Sequence, residues 1–192
     1  MQYSRRYFCL ITAVIILIMS IGGNIIHAES DTENNEYVIF SERDNIKSQD
    51  MRKKSQVTEE QLRTYLQRFP SLSGIEGALT EAQDKYNVNA ILILAIIRLE
   101  SGNSRSSLAK NNNNLGGIVA PSGSVAAYRS FDSKGDCVIF MARLLSEHYL
   151  TEGGRFFNGY TLTDINKKYS ASNTWTAKVS DIMYEIQWRL SE

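Results

Sequence analysis

Cysteine, histidine and proline are scarce in this 192-residue chain, with two of each, and neither sign of charge predominates, with 21 Lys+Arg against 21 Asp+Glu. Each scarcity excludes something. Cys9 lies in an N-terminal apolar run and Cys137 in the body among Val138, Ile139 and Phe140. The two are not expected to pair, and Cys137 reads as a buried structural thiol. A catalytic thiol needs a base nearby, and His148 is the only histidine beyond the N-terminal segment. Cys and His are too few for a metal centre, no cofactor is implied, and a nuclease or peptidase lacks its His, Cys or metal constellation. The balanced charge argues against nucleic acid as a partner. Residues 1–28 contain Arg5 and Arg6 and no acid, so the remainder carries 19 basic and 21 acidic residues. The prolines, Pro70 and Pro121, fall at a helix end and in a turn. No internal repeat is visible.

What is present begins with an export signature. Arg5 and Arg6 precede an apolar stretch from Tyr7 to Ile26, and Ile26-His27-Ala28 offers an imperfect cleavage site. The run of about 20 residues exceeds the usual signal core and suffices to cross a bilayer, which favours a retained anchor over a cleaved signal. The positive-inside rule places everything after residue 28 on the extracellular face in either case. Residues 29–57 are polar and charge-dense, with only Tyr37 to Phe40 apolar, and read as an extended linker. The folded domain is expected over 58–192.

Within that domain the pattern is mainly helical. Thr58 with Gln61 and Ser73 with Glu76 fit capping boxes, and Thr161 with Asp164 caps a short helix later in the chain. Leu62, Tyr65, Leu66 and Phe69 share one helical face, and a second helix over about 74–86 turns Ile75, Leu79 and Ala82 inward. The segment from about Val88 to Ser101 is apolar all round, which marks a buried helix too short to span a membrane. Residues 103–132 change character: an asparagine run at 111–114, Gly116-Gly117, then Ile118-Val119 and Val125 to Phe131 flanking Pro121-Ser122-Gly123 as a small hairpin. Helical pattern returns over about 134–150, near 161–169 and over about 174–190. Tyr128, Phe131, Phe156, Phe157 and Tyr160 are expected to pack, and His148 to be a surface or satisfied core residue.

The chemistry concentrates at Glu100. It ends the apolar run AILILAIIRL, where only Arg98 is charged, and Gly102 follows. A carboxyl group held among aliphatic side chains favours its protonated form, which general-acid cleavage of a glycosidic bond requires. The alternative is a helix-end carboxylate paired with Arg98 or Arg105.

Glu100-Ser101-Gly102-Asn103-Ser104, then Ser107-Leu108-Ala109, then Asn113-Asn114-Leu115-Gly116-Gly117-Ile118 resembles the glucosaminidase family of cell-wall hydrolases (family 73) in the lysozyme-like superfamily. Tyr128-Arg129-Ser130-Phe131, Lys168-Tyr169-Ser170-Ala171 and Trp175-Thr176-Ala177-Lys178-Val179 resemble its later elements, so the likeness covers about 75–188. The resemblance implies a lysozyme-like α+β domain with a small β-hairpin lobe. It implies that Glu100 is the general acid and that Tyr169 faces it across the groove. Ser101, Asn113, Asn114, Trp175 and Asp132 complete the implied substrate-binding set, with Trp175 where the family usually has tyrosine. Gly116 replaces the usual Phe and Val119 the usual Lys. The lobe between Leu115 and Phe131 holds no acid, and Asp132 is the first candidate after it. Two-carboxylate glycosidases need a second acid, so either Asp132 serves, or the substrate's N-acetyl group does, or a lytic transglycosylase route applies. The implied activity is cleavage of a β-1,4 bond between N-acetylated amino sugars in peptidoglycan, by an endo-β-N-acetylglucosaminidase, with muramidase or transglycosylase specificity open. A degenerate wall-binding scaffold that recruits wall-synthesis or division proteins is the other reading.

Overall fold

The computed structural model describes residues 37–38, 45–120 and 128–191. The expected anchor at 1–28 lies outside them, as do residues 29–36 and 39–44 of the linker. No helix among the described residues is long and apolar enough to cross a membrane.

Among the described residues seven α-helices carry the fold: α1 (Glu59–Leu66), α2 (Glu76–Tyr86), α3 (Ala90–Ser101), α4 (Ser107–Asn112), α5 (Lys134–Leu144), α6 (Leu162–Tyr169) and α7 (Trp175–Leu190). The centre is α3. Its residues Ala90 to Ile97 are all at most 1% exposed. Each buried Leu or Ile there contributes about 1.5–3 kcal/mol of transfer free energy, an upper estimate. Helix α7 packs along α3, and α2 packs along α5. The helix begins at Ala90 because the Asn89 side chain accepts from the N–H groups of Ile91 and Leu92.

Local signals behave unevenly. The capping boxes at Thr58 with Gln61 and at Thr161 with Asp164 both form. The one expected at Ser73 with Glu76 does not: α2 starts at Glu76 after Ile75, and the Glu76 carboxylate accepts instead from the Gly74 N–H at 2.8 Å. The asparagine run lies half in α4, which Ser106 caps at its start. The helix expected over 134–150 changes to a π-helical turn over Leu145–Tyr149, in which both end residues are buried. Where the chain leaves that turn, a Cβ on Gly154 would sit 2.7–2.9 Å from the carbonyl oxygens of Glu147, His148 and Thr151, so only glycine fits.

The larger correction concerns the linker. Residues 45–57 are part of the folded body, with Ile46 and Met51 fully buried in the core. A 3-10 turn covers Asn45–Ser48. Asp50 bridges Thr161, Met51 N–H donates to the Tyr160 carbonyl, and Asn89 N–H donates to the Met51 carbonyl. Strand β1 (Tyr37–Val38) pairs in parallel with β2 (Lys54–Ser55). Gln83, 5% exposed, clamps the segment to α2 and α3: its Oε1 accepts from the Ser55 N–H, the Ser55 hydroxyl and the Ala90 N–H, and its Nε2 donates to the Ser55 carbonyl.

Candidate active site

Glu100 stands in the last turn of α3, where the helix emerges from the core, and its side chain is exposed. The aliphatic enclosure expected around it is therefore absent. The residues before it face the interior, and Glu100 itself turns to the surface. The alternative of an Arg98 or Arg105 ion pair is not observed either. Arg98 bonds to Glu185 and to the Tyr65 hydroxyl, and Arg105 Nε donates to the Gly102 carbonyl. What holds Glu100 is the indole of Trp175 at the start of α7, whose Nε1 donates to Glu100 Oε1 at 3.0 Å.

Under that contact lies an aromatic stack. The Tyr169 ring, at the end of α6, sits 4.8 Å from Trp175 and 5.5 Å from Tyr149 between ring centroids. Tyr149 continues to Phe156 at 5.1 Å. Burial pushes the Tyr169 hydroxyl well above the usual phenol range, and the neighbouring Glu100 charge pushes it further. Tyr169 is thus a neutral hydroxyl beside the carboxylate. Trp175, placed by the resemblance in the substrate-binding set, is only 4% exposed, and its packed ring turns its N–H to Glu100.

The chain leaves Glu100 through three consecutive residues of left-handed conformation: Gly102 (φ 58°), Asn103 (φ 57°) and Ser104 (φ 62°). For Asn103 and Ser104 that conformation carries strain, which surrounding bonds offset. Ser101, expected to bind substrate, is 1% exposed; its hydroxyl donates to the Ile97 carbonyl and accepts from the Ser104 N–H at 2.7 Å. Asn103 accepts from Arg98 Nε. Ser101 therefore shapes the turn and does not face a ligand. The importance of Ser104 was not legible in the sequence, because its backbone strain has no residue-type signature.

Asn113 and Asn114 are likewise occupied. Asn113, left-handed at the end of α4, donates to the carbonyls of Phe131 and Asp132. Asn114, 1% exposed, donates to the carbonyls of Ile118 and Arg129 and accepts from the Ile118 N–H. The two amides tie residues 113–118 to 129–132, beside the isolated antiparallel Val119–Tyr128 bridge; residues 121–127 of the expected hairpin lie outside the described residues. Asn114→Ala strips buried carbonyls of their donor, which is expected to cost about 2 kcal/mol in urea unfolding.

Asp132 is exposed at the end of this lobe, before the Ser133 cap of α5. Tyr128, expected to pack, is 53% exposed. Cys137 is buried and accepts from the Leu115 N–H; burial pushes its thiol up, so it is a structural residue. No group of three or more metal-ligating side chains occurs among the described residues.

Residues 76–188 match the family model Glucosaminidase, described as mannosyl-glycoprotein endo-beta-N-acetylglucosaminidase. Two proteins of Streptococcus pneumoniae strains carrying the name endo-beta-N-acetylglucosaminidase are each 31% identical over 111 residues, covering 57% of this chain. The match spans only 17% and 16% of those relatives. A catalytic mutant of S. aureus Autolysin E in complex with the disaccharide NAG-NAM shares the fold, with a TM-score of 0.63 and 19% identity over 76% of this chain and 73% of that one. Autolysin E with the muropeptide NAM-L-Ala-D-iGlu aligns at a TM-score of 0.57 and 20% identity, covering 76% of this chain and 73% of that one. The lobed helical architecture is therefore the lysozyme-like one, and this chain belongs to the glucosaminidase family.

Proposed function

We propose that this chain cleaves a β-1,4 bond between N-acetylated amino sugars in the glycan strands of peptidoglycan, with Glu100 as general acid. The observation that carries the reading is an exposed carboxyl group at the tip of a buried helix, bonded to Trp175 and set beside the neutral Tyr169 hydroxyl. A glycan lying there covers Glu100 and withdraws it from water, which favours the protonated form needed to protonate the leaving oxygen. Tyr169 supplies an O–H toward the charge that develops on the sugar, or toward its acetamido group.

The segment 113–131 contains no Asp or Glu, and Asp132 lies exposed at its end. The reading therefore assigns the nucleophile to the substrate's own N-acetyl group, a recognised exception to the two-acid rule. The apolar segment within residues 1–28 exports the domain and tethers it to the membrane. Action near the membrane then remodels new wall.

Digestion of purified sacculi by the full chain tests the reading. Soluble fragments identified by mass spectrometry are expected to end in a reducing N-acetylglucosamine. A reducing N-acetylmuramic acid would reassign the bond, and an anhydro-sugar end would reassign the route to transglycosylation. Binding to sacculi with no fragment released would replace the enzyme with a wall-binding protein.

A further inference from the structure

We infer that Trp175 is a positioning residue: its indole N–H fixes Glu100 Oε1, leaving Oε2 as the oxygen that carries the reacting proton. This rests on the glycosidase reading above and adds a role that the aromatic ring alone would not have. An aromatic side chain near a sugar site is ordinarily a stacking platform. Trp175 is in the wrong place for one, being 4% exposed with its ring packed against Tyr169 at 4.8 Å. Its polar edge has one hydrogen to donate, and that hydrogen goes to Glu100 Oε1 at 3.0 Å. Among the described residues, Oε2 has no hydrogen-bond partner.

The two oxygens of one carboxyl group are thereby made different. A carboxyl at an exposed helix end rotates freely unless something holds it. The indole N–H stops that rotation at the expense of a side chain already locked by packing, so little further ordering is required. The groups facing Glu100 are few. Tyr169 approaches from α6 and is neutral; Tyr149 lies behind it. On α3, Arg98 is turned away and paired with Glu185. The N–H of Trp175 is thus the only donor to the Glu100 carboxyl among the described residues.

Trp175→Phe keeps the ring and deletes the donor. On soluble glycan oligomers, kcat is expected to fall roughly tenfold while KM changes less than about twofold. Trp175→His, whose Nε2 occupies the ring position of the indole nitrogen, should recover part of kcat. A rise in KM with kcat unchanged would make Trp175 a platform and overturn the inference. A second measurement needs no folded variant at position 175. The chain has two tryptophans, so the indole N–H resonances of the intact protein are easily assigned. The Trp175 signal should shift between the wild type and Glu100→Gln at neutral pH, while the other indole signal stays in place; coincident Trp175 signals overturn the inference. If the wild type cleaves and Glu100→Gln does not, a failure at Trp175 concerns this role alone. An inactive wild type removes the glycosidase reading and this role together.

Discussion

Glu100→Gln is expected to lower glycan cleavage by about a thousandfold while leaving the melting temperature unchanged. Both parts follow from where the side chain sits. General acids contribute roughly 10²–10⁴ in rate, and an amide of the same shape cannot deliver a proton to the leaving oxygen. The fold does not depend on the charge, because the side chain is exposed and makes no ion pair with any described residue. The amide oxygen still accepts from the Trp175 N–H, so the aromatic stack keeps its geometry. Release of reducing ends from sacculi, measured beside thermal unfolding, separates the two quantities. Cleavage by the variant within about tenfold of wild type would remove Glu100 from the chemistry.

Arg98→Leu is expected to cost about 2–3 kcal/mol of stability at pH 7, and the deficit should shrink as pH falls toward 4. Arg98 on α3, Tyr65 on α1 and Glu185 on α7 form a single hydrogen-bonded group, and the guanidinium also lies 4.3 Å over the Phe69 ring. Removing the cation leaves partly buried Glu185 with the Tyr65 hydroxyl as donor and the more distant Arg189 guanidinium at 4.0 Å, and a charge that loses its nearest cation is costly. The Glu185 side chain is 32% exposed, so water relieves part of that cost.

The pH dependence comes from Glu185. In the wild type burial pushes its carboxyl up, but the hydrogen bonds from Tyr65 and Arg98 and the Arg98 charge outweigh this and hold it below the ordinary value of 4.5. Its contribution is fully present above that value and is lost as pH falls through the lower folded one. Without Arg98 the carboxyl is held down less, so the variant loses less on acidification than the wild type does and the gap narrows. Urea midpoints of both proteins at pH 7 and pH 4 check this, and a gap that stays constant would assign the loss to packing. Because Arg98 Nε also holds Asn103, the left-handed turn behind Glu100 should loosen in the same variant.

The parts of this fold that were readable are those decided locally. Thr58 with Gln61 and Thr161 with Asp164 close within one helical turn, and the apolar run of α3 has no alternative to burial. The segment 45–57 was misread because its apolar residues, Ile46, Met51 and Val57, are isolated among charges. Their burial is decided by partners far along the chain, such as Tyr160 and Asn89 on Met51. The Ser73 box failed because Gly74, at φ 92°, takes the chain through a turn in which Glu76 serves the backbone itself. At the site, the position of Glu100 was legible and its surroundings were not. Its donor lies 75 residues away in sequence. Asn113 and Asn114 belong to the substrate-binding set only through the family resemblance, and residue type does not say whether an asparagine bonds a sugar or, as both do here, the backbone.

The inward packing of Ile46 and Met51 separates two boundaries that are easily confused. Homology is recognised from residue 76 onward, yet the hydrophobic interior already includes Ile46, Met51, Leu62, Tyr65, Leu66 and Leu72. Scissors placed at the homology boundary would cut through the middle of a hydrophobic body and leave α3 wet along one flank. A fragment excised for crystallography or for fusion to another protein has to start upstream of Asn45. The heritable signature of the family and the smallest piece that can fold are different lengths of the same chain.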